Sequence, residues 1–387
     1  MSEILIKNAL IGKKTADIFI HNGIISAVAD EIAATDNVAV IDNKGGIVVP
    51  GLVDCHSHID KSHLNDGGRT VYVHGTGAVK GGLTRQEKAA FTVEDIRQRA
   101  EKVIKAAIES GTLFLRTNCD VDSYVGLRGM EALLSLKDEY KDKISLQVAA
   151  FAQEGVFQDD RTPKLLNDAM RMGADLIAGH TITCGEGEKH IDFILEMAEK
   201  YGTQADFHLD ESGNREHYLL PYLAKKIQEM GLENRVNAIH MCTLSALKED
   251  ELSDALNTIV GCGLKATVAP TAISTRKIAP VKELLKTGIP IGLGSDNIRD
   301  FFNPMGTGNI MQIAYLLCYL QAFFTDEEIE QLWGMVTTEG AKVLGVDYSI
   351  KIGAPANLTL YSTADKRSII SGQVSKPIII RSGKVLS

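Results

Sequence analysis

The sequence lacks the features that mark nucleic-acid-binding, membrane-spanning and disulfide-stabilised proteins. Of its 387 residues, 41 are basic and 50 are acidic, and this net charge of -9 argues against a polyanionic partner. No apolar run reaches the roughly 18 residues of a membrane-spanning helix. The first residues do not resemble a secretory signal, so we expect a cytoplasmic protein. The six cysteines include no CxxC pair and do not describe a disulfide framework.

The composition is typical of a folded enzyme that is larger than one barrel. Hydrophobic residues make up 44% of the chain and charged residues 24%, which is enough apolar surface for a large core and excludes general disorder. A single α/β barrel takes about 250 residues. More than a hundred residues therefore remain for a second structural unit.

The middle of the chain alternates short apolar strands with amphipathic helical stretches. The helical part is clearest before Gly111, where Thr92 can cap a helix that Gly111 can end. The strands are continuously apolar, as is typical of parallel strands buried on both faces. Eight strands are predicted: Gly51–His58, Leu113–Asp120, Ser145–Phe151, Asp175–Gly179, Gln204–Leu209, Arg235–His240, Lys265–Pro270 and Pro290–Ser295.

This alternation predicts an α/β fold of the (β/α)8 TIM-barrel type, with its site at the carboxyl ends of the strands. An open doubly wound sheet is the competing architecture, but no GxGxxG turn follows the first strand. The chain ends instead hold short strands and hairpin signals such as Asn22–Gly23. Neither end has enough strands for a stable sheet. We predict that residues 1–49 and 345–387 form one composite β-sandwich beside a catalytic barrel of residues 50–344.

The most specific local motif is the pair His56 and His58. Two histidines that are two residues apart on a strand point to the same face, so both imidazoles can reach one metal ion. A pair of exposed strand histidines is the alternative interpretation. The apolar residues that precede the motif make exposure unfavourable, because they indicate an interior strand.

Polar residues also close three other predicted strands. His208 ends one strand and is followed by Glu211, His240 ends the next strand, and Asp296 follows the last one. A single buried histidine is usually a core residue whose nitrogens are satisfied. Four histidines and an aspartate at one rim of a barrel favour a metal site instead.

With these residues the chain resembles the amidohydrolase superfamily, which carries HxH on strand 1, histidines on strands 5 and 6, and aspartate on strand 8. Within it, the chain is most similar to the cytosine deaminase family. The supporting stretches are His58–Asp60, Arg116–Thr117, Phe151–Gly155, His208–Glu211, and Asp296 with Phe302, Pro304 and Gly306. No lysine closes the predicted fourth strand, which argues against two metals bridged by a carbamylated lysine.

The resemblance implies one Zn²⁺ or Fe²⁺ ion per chain, with the ligands His56, His58, His208 and Asp296. Such an ion lowers the pKa of its water and supplies hydroxide near neutral pH. By the same resemblance, Glu211 is the general acid/base, and His240 orients the hydroxide or stabilises the tetrahedral intermediate. Asp296 has a second, proton-shuttling role. The implied reaction is the hydrolytic deamination of a cytosine-like heterocycle with release of ammonia.

Four residues are expected to contact the substrate: Gln153, Lys61, Asn297 and Phe302. The amide of Gln153 can both donate to and accept from a ring edge. Asn297 stands where the cytosine deaminase family has a second aspartate, and Phe302 where it has tryptophan. Lys61 has no basic counterpart there; it is either a ligand for a ring oxo group or anionic nitrogen, or an ordinary rim lysine.

These departures resemble the N-isopropylammelide hydrolase branch, whose members remove an alkylamine from an s-triazine, whereas Glu211 fits the cytosine deaminase side. Both alternatives stay open, as does a cyclic amide hydrolase. His63 and His74 lie in the long segment after the first strand, and such a segment is often a lid. His180 follows the fourth strand, where its side chain can also face the substrate. His190 and His217 are expected on helix surfaces. We expect a small heterocyclic substrate as partner, no nucleic acid or membrane, and a homo-oligomer.

Overall fold

An eight-stranded parallel sheet forms the centre of the protein. The computed structural model describes residues 3–64, 66, 77–182, 186–273 and 277–386. Each strand of this sheet is hydrogen-bonded to the strand next to it along the chain. Its strands are β6 (Leu52–Asp54), β7 (Thr112–Asp120), β8 (Ser145–Ala152), β9 (Leu176–His180), β10 (Gln204–Leu209), β11 (Val236–His240), β12 (Lys265–Val268) and β13 (Ile291–Leu293). All eight predicted strands are present, and the predicted TIM-barrel class is confirmed.

The first strand lies beside the last, so the sheet is nearly closed into a barrel. Cys55 N donates to Leu293 O at 2.8 Å, and Asp296 N donates to His56 O at 2.9 Å. Regular strand geometry ends at Asp54 rather than at the predicted His58, because the residues after Asp54 pair with the end of β13 and the segment that follows it through single hydrogen bonds. Gly294 permits this approach, since a Cβ atom there would lie 2.7 Å from the Cβ of His56.

Helices cover the outside of the barrel and connect its strands. The predicted cap of one helix is present: the Thr92 hydroxyl accepts from Asp95 N, and Gly111 follows the helix with a φ of 91°. The helices of the described residues are α1 (Gly77–Lys88), α2 (Val93–Glu109), α3 (Arg128–Glu139), α4 (Thr162–Met172), α5 (Gly187–Tyr201), α6 (Leu220–Met230), α7 (Glu249–Gly261), α8 (Val281–Lys286), α9 (Ile310–Leu320), α10 (Asp326–Met335), α11 (Thr338–Leu344) and α12 (Lys366–Ile370).

Two further sheets come from the chain ends and share one core. The first consists of β1 (Glu3–Ile11), β2 (Lys14–His21), β3 (Ile24–Ala29) and β4 (Ala39–Asp42). The second consists of β5 (Val48–Val49), β14 (Leu358–Leu360), β15 (Ile378–Arg381) and β16 (Lys384–Val385). Side chains of both sheets, including Ile6, Ile18, Leu358 and Ile380, form one buried cluster. The exact division of the chain at residues 49/50 and 344/345 stays a prediction.

His190 is buried, so its expected place on a helix surface is wrong. It lies four residues before Ile194 on α5 and therefore shares the apolar face of that helix. Its ring packs on Gly179 of β9, where a Cβ atom would lie 2.1 Å from His190 Nε2. Its Nδ1 accepts from Val156 N at 3.3 Å. Burial lowers the pKa of His190 to about 3.

No helix among the described residues is both long enough and apolar enough to cross a lipid bilayer.

Candidate active site

Four imidazoles and one carboxylate meet inside the barrel at the carboxyl ends of its strands. We call them the histidine cluster: His56, His58, His208, His240 and Asp296. All five are at most 4% exposed. The Asp296 Oδ1 atom lies 3.4 Å from His56 Nε2 and 3.6 Å from His58 Nε2. The His208 ring centroid lies 4.8 Å from that of His56 and 5.1 Å from that of His240.

Several ring nitrogens of the histidine cluster have no hydrogen-bond partner among the described residues. They are both nitrogens of His56, Nδ1 of His58 and Nδ1 of His208. Buried polar atoms are normally hydrogen-bonded, so a group of ring nitrogens without partners requires an explanation. Ligand atoms of His56, His58 and His208 lie within 4.8 Å of one another, as do those of His56, His240 and Asp296. Imidazole nitrogens with one carboxylate fit a divalent ion such as Zn²⁺ or Fe²⁺.

The charge states of the cluster also suit a metal ion. Burial, followed by the charge of Lys61, holds the pKa of His58 well below its usual value. Burial and the neighbouring His56 do the same to the pKa of His208. Both imidazoles are therefore neutral and keep a lone pair for a metal. Burial would raise the pKa of the Asp296 carboxyl, but the adjacent His56 and His240 outweigh it, and the pKa is lowered.

The backbone is strained where it delivers these side chains. His240 has a φ of 74° and Asp296 a φ of 58°, both in the left-handed region that non-glycine residues rarely adopt. Asp210, which follows β10, has a φ of 51°. Its buried carboxylate accepts from Leu219 N at 2.7 Å and from Leu220 N at 3.2 Å, and so ties the end of β10 to the start of α6. Strain of this kind is maintained where the surrounding structure fixes a functional geometry.

Glu211 lies beside the histidine cluster and is held by a histidine from the neighbouring strand. His180 Nε2, at the end of β9, donates to Glu211 Oε2 at 2.8 Å. His240 Nε2 lies 4.0 Å from Glu211 Oε1. The Glu211 carboxylate therefore lies between two imidazoles. Sequence reasoning expected His180 near the substrate but did not find its contact with Glu211.

Lys61 is fully enclosed rather than at the rim, with 1% exposure. Its Nζ donates to Asp120 Oδ1 at 2.7 Å and to Gln153 Oε1 at 2.9 Å. Burial would lower the pKa of Lys61, but Asp120 and Asp60 outweigh it and raise the pKa. The interpretation of Lys61 as an ordinary rim lysine is therefore wrong, because this ammonium is buried and paired.

A second buried lysine, which sequence reasoning missed, completes this group of charges. Lys88 of α1 is 1% exposed, and its Nζ lies 3.1 Å from Asp120 Oδ2, 2.5 Å from Asp122 Oδ2 and 2.8 Å from Glu154 Oε1. Arg85 of the same helix also donates to Glu154. The only signals in the sequence are Asp120 at a predicted strand end and Glu154 within the stretch Phe151–Gly155. Lysines of a mostly polar helix carry no comparable signal.

The remaining predicted contacts lie in the segment after β13. Asn297 is buried, and its Nδ2 donates to Asp300 Oδ2 at 2.5 Å. Asp300 Oδ1 accepts from Phe302 N at 2.9 Å and so fixes the turn that carries Phe302. The half-buried Phe302 faces α1, since a Cβ on Gly81 would lie 3.9 Å from its Cζ atom. Of the lid histidines, His63 is half-buried and pairs with Asp66 at 3.1 Å, whereas His74 lies outside the described residues.

Comparisons with known proteins agree with this fold. N-isopropylammelide isopropyl amidohydrolase of Pseudomonas sp. (strain ADP) is 32% identical, over 99% of this chain and 97% of the relative. The solved structure of N-isopropylammelide isopropylaminohydrolase from Burkholderia multivorans has a TM-score of 0.89 at 27% identity, over 100% of this chain and 98% of that chain. The solved structure of 5-methylcytosine deaminase from Klebsiella pneumoniae, liganded with 5-fluorocytosine, has a TM-score of 0.92 at 28% identity. The match covers 99% of this chain and 97% of that chain. Residues 39–375 match the amidohydrolase family, and the chain belongs to it.

Proposed function

We propose that the protein is a metal-dependent aminohydrolase that removes an exocyclic amine from a small nitrogen heterocycle. The proposed substrate is a cytosine-like ring, and the amine leaves as ammonia. The observation that carries this proposal is the position of Glu211, held between His180 and His240 beside a cluster of unpaired histidine nitrogens. A carboxylate fixed next to a metal site is suited to move protons during hydrolysis.

His56, His58, His208 and Asp296 would hold one Zn²⁺ or Fe²⁺ ion. When bound, such an ion lowers the pKa of a water molecule towards about 7 and makes it a nucleophile. The net reaction replaces the bond between the ring carbon and the amine with a carbon–oxygen bond.

The proton transfers fall to residues of the chain. Glu211 accepts a proton from the attacking water at Oε1 or Oε2 and delivers it to a ring nitrogen. His180 keeps the Glu211 carboxylate in place through its Nε2–H group. Asp296 passes a second proton to the leaving amine. His240 lies close to both Glu211 and His208, and it donates to the oxygen that adds to the ring.

The substrate residues belong to the same proposal. Gln153 and Lys61 form one hydrogen-bonded pair next to Phe151, whose ring stacks on His208 at a centroid distance of 4.6 Å. Phe302 lies in the turn that follows Asp296, and Asn297 supports that turn through Asp300. We propose that Gln153, Lys61 and Phe302 contact the ring.

The second candidate is release of an alkylamine from an s-triazine. The 32% identity to the Pseudomonas hydrolase over nearly the whole chain supports it, as do Lys61, Asn297 and Phe302, which depart from the cytosine deaminase pattern. Both candidates hydrolyse a C–N bond of a nitrogen heterocycle at the same proposed metal ligands, and Glu211 fits the cytosine-like candidate. They differ in the ring and in the amine that leaves.

One set of measurements tests the proposal. Purified protein loaded with Zn²⁺ or Fe²⁺ is assayed with cytosine, isocytosine, creatinine, pterins, amino-triazines and N-isopropylammelide, by ammonia release and separately by alkylamine release. We expect about one metal per chain and turnover of at least one ring. Glu211→Gln is expected to keep the metal and to lose about 10²- to 10⁴-fold in kcat. Full activity of metal-free protein, or of Glu211→Gln, would contradict the proposal.

A further inference from the structure

We propose that the outer face of helix α9 is a contact surface between two copies of this chain, which pack against each other about a two-fold axis at Tyr315. The inference goes beyond the proposed function, because it depends on neither the metal nor the ring. It rests on three observations: α9 lacks charged residues, its outer face exposes aromatic side chains, and a groove opens beside it.

Helix α9 (Ile310–Leu320) has no charged side chain, whereas every other helix of the described residues has at least one. It lies within Phe301–Thr325, the longest stretch of the sequence without Asp, Glu, Lys or Arg, although 24% of the chain is charged. Its inner face, which includes Ala314 and Leu317, is buried in the main core. A surface helix normally turns charged residues to the solvent, and a helix without such a face is normally covered. The composition of α9 therefore indicates that a partner covers its outer face.

The outer face of α9 exposes aromatic rings. Tyr315 is 43% exposed and Tyr319 is 66% exposed, and their rings pack edge to face at a centroid distance of 5.1 Å. Leu320 at the end of the helix and Phe324 just after it are 40% and 61% exposed. We call these four residues the α9 patch. Aromatic residues are enriched at protein interfaces and charged residues are depleted from interface cores, so the α9 patch has the composition of such a core.

The size of the α9 patch suits the core of a dimer interface. A fully exposed aromatic side chain offers about 200 Å², so the three rings of the patch expose roughly 350 Å² between them. A standard protein interface takes about 800 Å² from each partner. The rings therefore supply roughly half of that area, and the residues around them would supply the rest. A division into an apolar core and a polar rim is typical of interfaces.

The position of Tyr315 decides how two copies fit together. It is the middle residue of α9, so a two-fold axis through it and perpendicular to the helix sets two α9 helices antiparallel against each other. Tyr319 lies one turn after Tyr315, and Met311 lies one turn before it. The axis therefore brings Tyr319 of each copy to Met311 of the other. There Met311, Gln312 and Tyr315 line one wall of a groove of about 600 Å³, which has room for the tyrosine ring.

The charge of the chain favours a second copy over a charged partner. With a net charge of -9, two copies repel each other over most of their surface, and the repulsion is least where neither presents a charge. A basic protein would need acidic groups at the centre of the contact, and an anionic membrane or nucleic acid would need basic ones; α9 offers neither. Charges of both signs stand at the edge, where Arg367 pairs with Asp326 and donates to Phe324 O at 2.9 Å.

The oligomeric state of the full chain tests the inference. Sedimentation velocity of the unmodified protein between about 1 µM and about 100 µM is expected to give a mass of at least two chains. Tyr315→Lys and Tyr315→Glu each place two like charges at the axis, and each is expected to weaken self-association at least 100-fold. Far-UV circular dichroism checks that both variants are folded. Tyr319→Lys, which puts a charge into the groove of the other copy, gives the same test at a second position.

A mixture of the two Tyr315 variants distinguishes a second copy from any other partner. Position 315 faces itself across a two-fold axis, so an equimolar mixture places Lys opposite Glu. We expect native mass spectrometry to show mixed dimers where each variant alone is monomeric. Val260→Lys is the matched control, because it adds the same charge at a 50% exposed apolar position of α7. This variant is expected to associate like the unmodified protein.

Four results would overturn the inference. The first is an unmodified protein that is monomeric at every concentration, including one that floats with phosphatidylcholine vesicles, which would assign the α9 patch to a membrane surface. The second is an oligomer that the folded Tyr315 and Tyr319 variants leave intact. The third is a mixture of the two Tyr315 variants that stays monomeric. The fourth is an oligomer that Val260→Lys disrupts to the same extent.

Discussion

Two buried polar clusters occupy the interior of the same barrel. They differ in whether their polar atoms find hydrogen-bond and ion-pair partners within the cluster. The histidine cluster lies at the carboxyl ends of the strands. The second, which we call the Arg116 cluster, lies towards their amino ends and contains Arg116, Gln147, Gln204, Asp206 and Asn237. Arg116 donates to Asp206 at 2.9 Å, to Gln147 at 2.9 Å and to Gln204 at 2.8 Å. Asn237 donates to the same oxygen of Asp206 at 3.2 Å.

The difference shows that burial and polarity do not by themselves identify a site. In the Arg116 cluster the charges pair with each other, and among its described side-chain atoms only Asp206 Oδ2 lacks a partner. Such a group needs no ligand. In the histidine cluster, three imidazoles that are at most 3% exposed leave ring nitrogens unpaired, and the pKa of the Asp296 carboxyl is lowered by the imidazoles of His56 and His240. Unsatisfied ligand atoms that lie together are the feature that distinguishes the site.

Removal of the metal should show the largest difference between the two clusters, because only the histidine cluster is expected to bind a metal. We expect chelation to abolish turnover and to lower the midpoint of thermal unfolding, because a ligand that binds only the folded state at 1,000 times its Kd adds about 4 kcal/mol of stability. Metal content, turnover and unfolding are measured before chelation, after chelation and after Zn²⁺ or Fe²⁺ is added back. We expect chelation to leave the Arg116 cluster unaffected, because its charges are paired without a metal. Unchanged turnover in metal-free protein would show that the histidine cluster is structural.

Arg116→Met should have the opposite signature. It leaves Asp206 as an uncompensated buried charge, and we expect the free energy of unfolding to fall by about 3–5 kcal/mol. Urea unfolding measures this loss. The number of metal ions per chain and the kcat of the folded fraction should stay the same. The double variant Arg116→Met/Asp206→Leu should recover much of the stability, since it removes both charges. A variant that loses metal at unchanged stability would contradict the comparison.

The strand ends were the most informative part of the sequence. Each member of the histidine cluster lies at the end of an apolar strand or just after it. Parallel strands bring such positions to one rim, so their meeting could be predicted. The same reasoning could not find the contact of His180 with Glu211, because it depends on the register of β9 against β10. It also could not find Lys88, because its partners Asp120 and Glu154 are 32 and 66 residues away and nothing local marks them.

The chain ends show the same limit. Hairpin signals predicted short strands at both ends, but they did not predict that the first 42 residues supply one whole four-stranded sheet. The second sheet combines β5 with three strands from the other end. That arrangement is decided by which apolar faces cover each other, and this is a property of the packed core rather than of any local pattern.

His180 tests how far the histidine cluster depends on the residue that holds its carboxylate. His180→Leu removes the donor to Glu211, and we expect kcat to fall by about 100-fold with little change in KM, because the carboxylate is misplaced rather than removed. Steady-state kinetics with the best ring substrate measure this. His180→Gln keeps an N–H group in a similar place and should restore most of the rate. Equal activity of all three proteins would exclude a role for His180 in holding Glu211.

His190 lies outside the histidine cluster, but it also has a buried nitrogen without a partner among the described residues. It therefore tests whether an unpaired nitrogen alone is enough to bind a metal. Its Nε2 is unpaired, but it lies against Gly179 and belongs to none of the groups of potential metal ligands found among the described residues. We therefore expect His190→Asn to keep its metal, whereas His208→Asn should lose it. Asparagine is chosen because its oxygen can still accept from Val156 N, as His190 Nδ1 does. The metal content of the two variants shows whether metal binding requires a cluster of unpaired nitrogens or only a single one.

The pH dependence of stability gives a second, smaller test of His190. Burial lowers its pKa in the folded protein to about 3, whereas an unfolded histidine titrates near its usual value of about 6.5. Above pH 6.5 both states are neutral and His190 contributes nothing to the pH dependence. Below it the unfolded state binds a proton that the folded state does not, so stability falls with decreasing pH, by about 2 kcal/mol between pH 6.5 and pH 5. His190→Asn should remove this part of the slope, measured as the difference between the two urea-unfolding profiles. Parallel profiles would mean that His190 gains a proton in the folded protein, which its packing against Gly179 and its acceptance from Val156 N oppose.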